Sequence, residues 1–106
     1  MQTLRLPIGK HRMRISTSQI VRLEGSCNYT VIFLNNGKNV MVASTLLNYE
    51  HMLEFPFVRI HKSNIINLDY AAMNKDASSF ILNDGTEIPV ARRRRRQVLD
   101  ILKDKF

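Results

Sequence analysis

The chain has 106 residues, 44% of them hydrophobic, and carries a formal net charge of +7 with a pI of about 10.1. That length suits one domain with a modest core, and that apolar content excludes a disordered tail. No apolar stretch approaches the roughly 20 residues of a membrane span. The opening MQTLRLPIGKHRMR lacks the continuous apolar segment of a secretory signal. The single cysteine, Cys27, cannot form an internal disulfide, so a reducing, cytoplasmic location is expected.

Positive charge is concentrated at the ends. Residues 1 to 14 hold Arg5, Lys10, Arg12 and Arg14 and no acid, while residues 92 to 106 are net +5 and the middle is net −2. Termini of compact domains often lie close together, which predicts one shared basic surface suited to nucleic acid or an anionic membrane. The bland alternative is a basic protein kept soluble by its charge.

In chain order, TLRLPI, HRMRIS, IVRLEG, YTVIFL and NVMVA are short, rich in β-branched and aromatic residues, and often alternate, as strands do. STLLNYEHML (44–53) follows with Ser44 or Thr45 as helix N-cap and with Leu46, Tyr49 and Leu53 at helical spacing. FVRIH, SSFIL and TEIPVA return to strand patterning, and Pro89 points to an edge or terminal position. A last helix is expected in RRQVLDILKDKF, where Val98, Leu99, Ile101, Leu102 and Phe106 form an apolar stripe. FLNNGKNVMVA (33–43) and ILNDGTEIPVA (81–91) agree at five of eleven positions. Asn36-Gly37 and Asp84-Gly85 are dipeptides suited to type I′ turns, so these segments read as two hairpins solving one turn problem. The fold class is mainly β with one or two short helices.

Catalysis finds little footing. His11, His51 and His61 stand far apart and away from Cys27, which leaves no metal-ligand spacing, and no glycine-rich loop opens a helix. His61 and Ser63 lack an orienting acid and an oxyanion arrangement. Asp69 and Glu87 read as surface acids. No enzyme activity, cofactor, metal or small-molecule substrate is expected.

FVRIHKSNIINL (57–68) is more informative. Core-like Phe57, Val58, Ile60, Ile65, Ile66 and Leu68 bracket the polar block HKSN, which would hold that block rigidly at the surface. Lysine and histidine can meet phosphates, serine can donate to a phosphate oxygen, and asparagine can read base edges. For His61 and Lys62 this favours contact with a polyanion; Asn67 reads better as a cap on local backbone groups.

RLEGSCNYTVIFL, the Leu46–Leu53 helix, FVRIHKSNIINL and the closing TEIPVAR together resemble the LytTR family of bacterial DNA-binding domains, in order over about residues 8 to 102. The most specific element is Ile60-His61-Lys62-Ser63 with the later Asn67. The resemblance implies a single domain over 1–106 with an elongated, mostly antiparallel β fold whose loops enter DNA. It also implies reading of two successive major grooves, often by two copies on direct repeats. Three loops should then face DNA: Cys27 with Asn28, Tyr29 and Thr30; His61, Lys62 and Ser63; and Arg92, Arg93 and Arg94. Two positions depart from the family pattern, Ala91 where serine is usual and Asn64 where an aromatic is commoner. Many relatives carry a receiver domain, so this chain corresponds to a stand-alone regulator or an excised domain.

The run Arg92 to Arg96 fits a groove-facing loop, because arginine's planar fork pairs with phosphate or with the O6/N7 edge of guanine. Five consecutive residues cannot all point one way, so two or three should touch DNA, with Arg92 and Arg93 foremost. The leading expectation is a sequence-specific double-stranded DNA-binding transcription regulator. The rival is a protein-interaction module that pairs with and antagonises a DNA-binding relative. RNA binding is disfavoured by the scarcity of aromatics for base stacking.

Overall fold

Strand patterning translates into ten strands and two α-helices in a computed structural model, which describes residues 2–8, 11–74 and 76–105. β1 (Thr3–Ile8) and β2 (His11–Ser16) form a two-stranded ribbon. β3 (Ile20–Ser26), β4 (Tyr29–Leu34), β5 (Asn39–Val42), β6 (Phe57–His61) and β7 (Asn64–Asn67) make a central antiparallel sheet in the order β5-β4-β3-β7-β6. β8 (Ala71–Met73), β9 (Ser79–Leu82) and β10 (Glu87–Pro89) form a third sheet, and Pro89 closes its edge strand, where no ladder hydrogen bond is lost. The body is elongated, 44 × 25 × 25 Å.

The central sheet is apolar on both faces. Leu23, Ile32 and Ile65 join Leu4, Leu6 and Ile15 of the ribbon and Leu46, Tyr49 and Leu53 of the first helical segment in one core. Ile60 and Ile66 join Phe80, Leu82, Ile88, Val90 and Val98 in the other. Ile65 and Ile66 are consecutive, and strand side chains alternate, so the two cores lie on opposite faces. This corrects the expectation of one basic surface shared by the termini. The ribbon carries exposed Arg5, Arg12 and Arg14 on one side of the sheet, whereas α2 (Arg95–Lys105) packs Val98 into the core on the other. Lys10 and Phe106, which the sequence reading also used, lie outside the described residues.

α1 (Leu46–Met52) is shorter than the 44–53 pattern suggests. Thr45 is its N-cap residue but makes no side-chain capping bond; Ser44 Oγ instead accepts from Asn48 Nδ2 at 3.0 Å.

The two matching hairpins share one turn, but not type I′. Gly37 and Gly85 take φ of +85° and +89°, while Asn36 and Asp84 do not enter the left-handed region. Gly37 N–H donates to Leu34 O and Leu34 N–H to Lys38 O; Gly85 to Leu82 O and Leu82 to Thr86 O repeat the pattern. These bonds define three-residue loops, a type I turn followed by a glycine in a G1 bulge. Asn36 Oδ1 accepts from Lys38 N–H and Asp84 Oδ1 from Thr86 N–H, each at 2.9 Å.

Candidate nucleic-acid interface

Antiparallel pairing sends the β3–β4 and β6–β7 turns to the same end of the sheet, and Gly25 N–H donates to Ser63 O across them at 2.9 Å. Ala91 N–H donates to Ile60 O at 2.8 Å, which brings the start of the arginine run beside the last residues of β6. Three segments far apart in sequence thus converge on one end.

In the first loop, Ser26 pairs with Tyr29, leaving Cys27-Asn28 as a two-residue turn. Cys27 and Asn28 are exposed, and Tyr29 is 41% exposed. Thr30 differs from its expected role. It is fully buried, and its hydroxyl donates to Ser44 O at 2.8 Å, tying β4 to the segment that enters α1. The side chain next to Tyr29 alternates inward, so Thr30 positions the loop from behind.

The second loop splits the polar block HKSN. His61 ends β6, Lys62 and Ser63 form the turn, and Asn64 begins β7. Lys62 is exposed, whereas Asn64 is buried and accepts from Arg22 Nη1 at 3.4 Å. Ser63 N–H donates to His61 Nδ1 at 3.2 Å, and Ser63 Oγ lies 2.9 Å from the same nitrogen. A backbone amide can only donate, so Nδ1 is the accepting nitrogen and the neutral ring carries its proton on Nε2. The ring therefore offers an N–H donor from the nitrogen that the turn does not use.

Behind this loop lies Arg59, which sequence reasoning missed. Its Nη1 donates to Glu50 Oε1 of α1 at 2.7 Å, its Nη2 to Lys62 O at 2.6 Å, and its Nε to His61 O at 3.4 Å. One rigid fork thus fastens the turn's carbonyls to α1. Gly25, also missed, lets α1 approach, since a Cβ there would stand 2.7 Å from Leu46 Cβ. Both left a signal: a charged residue between Val58 and Ile60 in a core strand, and a glycine within a strand, which often marks close approach. Asn67 behaves as expected of a local cap; its Oδ1 accepts from Asp69 N–H and its Nδ2 donates to Ile20 O.

In the third segment, Arg92–Arg94 form a 3-10 turn before α2 begins. Arg92, Arg93 and Arg96 are exposed, while Arg94 and Arg95 are half-buried with their Nε atoms enclosed and unpartnered among the described residues. Of the nearby acids, Glu50 and Glu24 are paired with Arg59 and Arg22, and Asp76 lies within electrostatic reach of Arg95.

A β domain that gathers exposed cations and hydrogen-bond donors on loops at one end has the form of a nucleic-acid-binding domain. The model of the LytTr DNA-binding domain matches residues 10–103, and the chain belongs to that family. Among solved structures, it is similar to the LytTr DNA-binding domain of a protein described as a methyl-accepting/DNA response regulator from Bacillus cereus. The TM-score is 0.76 at 19% identity, over 96% of this chain and 97% of that one. A search of curated proteins finds no match. No helix among the described residues is long and apolar enough to cross a membrane.

Proposed function

We propose that the chain is one LytTR domain acting as a sequence-specific transcription regulator that reads double-stranded DNA with its loop end. The observation carrying this reading is the convergence of Asn28, Tyr29, His61, Lys62, Ser63, Arg92 and Arg93 on surfaces held from behind by Arg59 and Thr30. Lys62, Arg92 and the His61 Nε2–H supply donors suited to phosphates and to the N7/O6 edge of guanine in the major groove. Asn28 offers both a donor and an acceptor, as adenine's N6/N7 edge requires. Arg94, half-buried, contributes a phosphate contact, and Arg95 and Arg96 with the ribbon's Arg5, Arg12 and Arg14 contribute long-range attraction. Two copies would occupy adjacent direct repeats. The free protein would be monomeric, because α2 carries no heptad seam.

The test is a titration against genomic fragments, with sequencing of those retained, followed by affinity measurement across salt concentrations. If roughly 6 to 8 phosphates are neutralised, log K against log[salt] falls with a slope of about −5 to −7. A slope near zero, or no shift of any duplex at low salt, overturns the reading and favours the protein-pairing alternative. Light scattering at micromolar protein should show a monomer; a stable dimer without DNA contradicts pairing on the repeats.

A further inference from the structure

At the end of the sheet away from the loops, the two matching hairpin turns lie side by side. Asn35 Nδ2 donates to the Tyr70 hydroxyl at 3.1 Å, and Asn83 N–H donates to Tyr70 O at 3.0 Å, so Tyr70 sits between them. The turns border a cleft of about 310 Å³. Its apolar walls are Val21, Phe33, Leu34 and Leu82, and Arg22 and Lys38 line it as cations. That volume lies at the small end of small-molecule sites, and an apolar wall with a few convergent polar groups is their usual composition. Asp84 also lines the cleft; its carboxylate accepts from Thr86 N–H and lies within electrostatic reach of Arg22, so a bound acid would compete with it for that cation.

Arg22 distinguishes this cleft from an ordinary surface dimple. Its guanidinium carbon lies 3.8 Å from the centre of the Phe33 ring, and its side chain is only 15% exposed. From one nitrogen, Nη1, it reaches Glu24 Oε2 at 3.5 Å and Asn64 Oδ1 at 3.4 Å, both long for charge-assisted bonds. Nε and Nη2 are not used in those two bonds. Asn64 in turn donates to Ser63 Oγ at 3.4 Å, and Ser63 holds the His61 ring. A chain of hydrogen bonds therefore runs from the cleft to the loop end through four side chains.

We propose that the cleft is a binding site for a small organic acid with a flat apolar body, and that its occupancy weakens the grip of the loop end on DNA. The body would lie against Phe33, Leu34 and Leu82, with the carboxylate between Arg22 and Lys38. A bidentate carboxylate makes shorter bonds than Arg22 now makes, so it draws the guanidinium off Asn64. Asn64 then loses its charged partner, and the Ser63–His61 arrangement loses its support. The second half of this proposal rests on the DNA-binding reading above; the first does not.

Indole-3-acetate serves as the probe and indole-3-acetamide as its neutral twin, titrated into the full chain by nitrogen-15 NMR. The acid at millimolar concentration should shift the amides of Leu34, Lys38 and Asn83 and the Arg22 Nε–H, and also Ser63 and the Asn64 side-chain amide. The acetamide should shift them far less, and Lys38→Glu should abolish the response. Duplex affinity should fall about fivefold on saturation with the acid, within the usual range of coupling between sites. No shift at the cleft overturns the site, and equal shifts with the acetamide overturn the class of ligand. Shifts at the cleft with Ser63 and Asn64 unmoved, or with duplex affinity unchanged, overturn the coupling. The NMR arm needs no DNA, so failure to bind any duplex counts against the functional reading alone.

Discussion

The two ends of the central sheet solve the problem of reversing the chain in opposite ways. At the cleft end each turn is closed by its own residues: a glycine at positive φ and an Asx side chain bonded two residues ahead. At the loop end the turns carry no glycine; Ser63 bonds to His61 Nδ1 within the second, and further hold comes from outside, through Arg59, the Thr30 hydroxyl and the close seat of Leu46 on Gly25. A turn that stabilises itself uses up its polar atoms. A turn also held from behind keeps some of its groups for a ligand, here Lys62 and the His61 Nε2–H.

The contrast is broken most severely by Arg59→Ala, which leaves Glu50 and two turn carbonyls without their donor. Loss of hydrogen bonds from a charged group should cost about 2 to 3 kcal/mol of stability by urea unfolding. It should also weaken duplex binding more than tenfold although Arg59 itself faces inward. Unchanged affinity in a correctly folded variant would mean the loop keeps its shape unaided.

Lys62→Ala and Arg92→Ala sharpen the contrast from the other side. Each should leave the unfolding midpoint in place and cost about 1 to 3 kcal/mol at the specific site, with a smaller loss on random duplex. Arg95→Ala should weaken both duplexes alike. Equal behaviour of all three in an anisotropy titration would show that the roles assigned within the basic set are wrong.

At the cleft end the expectations invert. Gly37→Ala and Gly85→Ala place a Cβ in the left-handed region and should each cost about 1 to 2 kcal/mol of stability, with duplex affinity unaltered. The smallest effect concerns acid. Backbone and side-chain hydrogen bonds from Thr86 hold the Asp84 carboxyl below its usual range. Stabilisation from such a group is complete above the ordinary carboxylate pKa and is lost as pH falls through the lowered folded value. Asp84→Asn should therefore melt slightly below the parent at neutral pH and converge with it as pH falls through the lowered carboxyl value in a thermal melt series.

Most strands were legible because alternation and turn dipeptides report directly on half-buried β structure. β7 was not, since Asn64-Ile65-Ile66-Asn67 is buried throughout and shows no alternation, and the three residues of β8 are too few to carry a pattern. The hairpin type was misread for a specific reason. Asn-Gly and Asp-Gly serve both two-residue loops and three-residue loops with a bulge, and only the hydrogen-bond register separates them. Within the loops, residue type pointed to Lys62, Arg92 and Arg93, which are exposed, but could not reveal that Thr30 lies fully inside. Depth depends on strand phase, and one residue of phase separates display from support.

β7 has a further consequence for how the molecule opens. It is flanked by β3 and β6, and it lends Ile65 to one core and Ile66 to the other, so neither core can come apart while its backbone bonds remain. Amide protons of Ile65 and Ile66 should exchange with deuterium only through global unfolding, at the slow limit for the whole chain. Lys62, at the head of that strand, should exchange within the dead time of the same experiment. Fast and slow neighbours three or four residues apart would mark a solvent-facing turn on an anchor that does not yield.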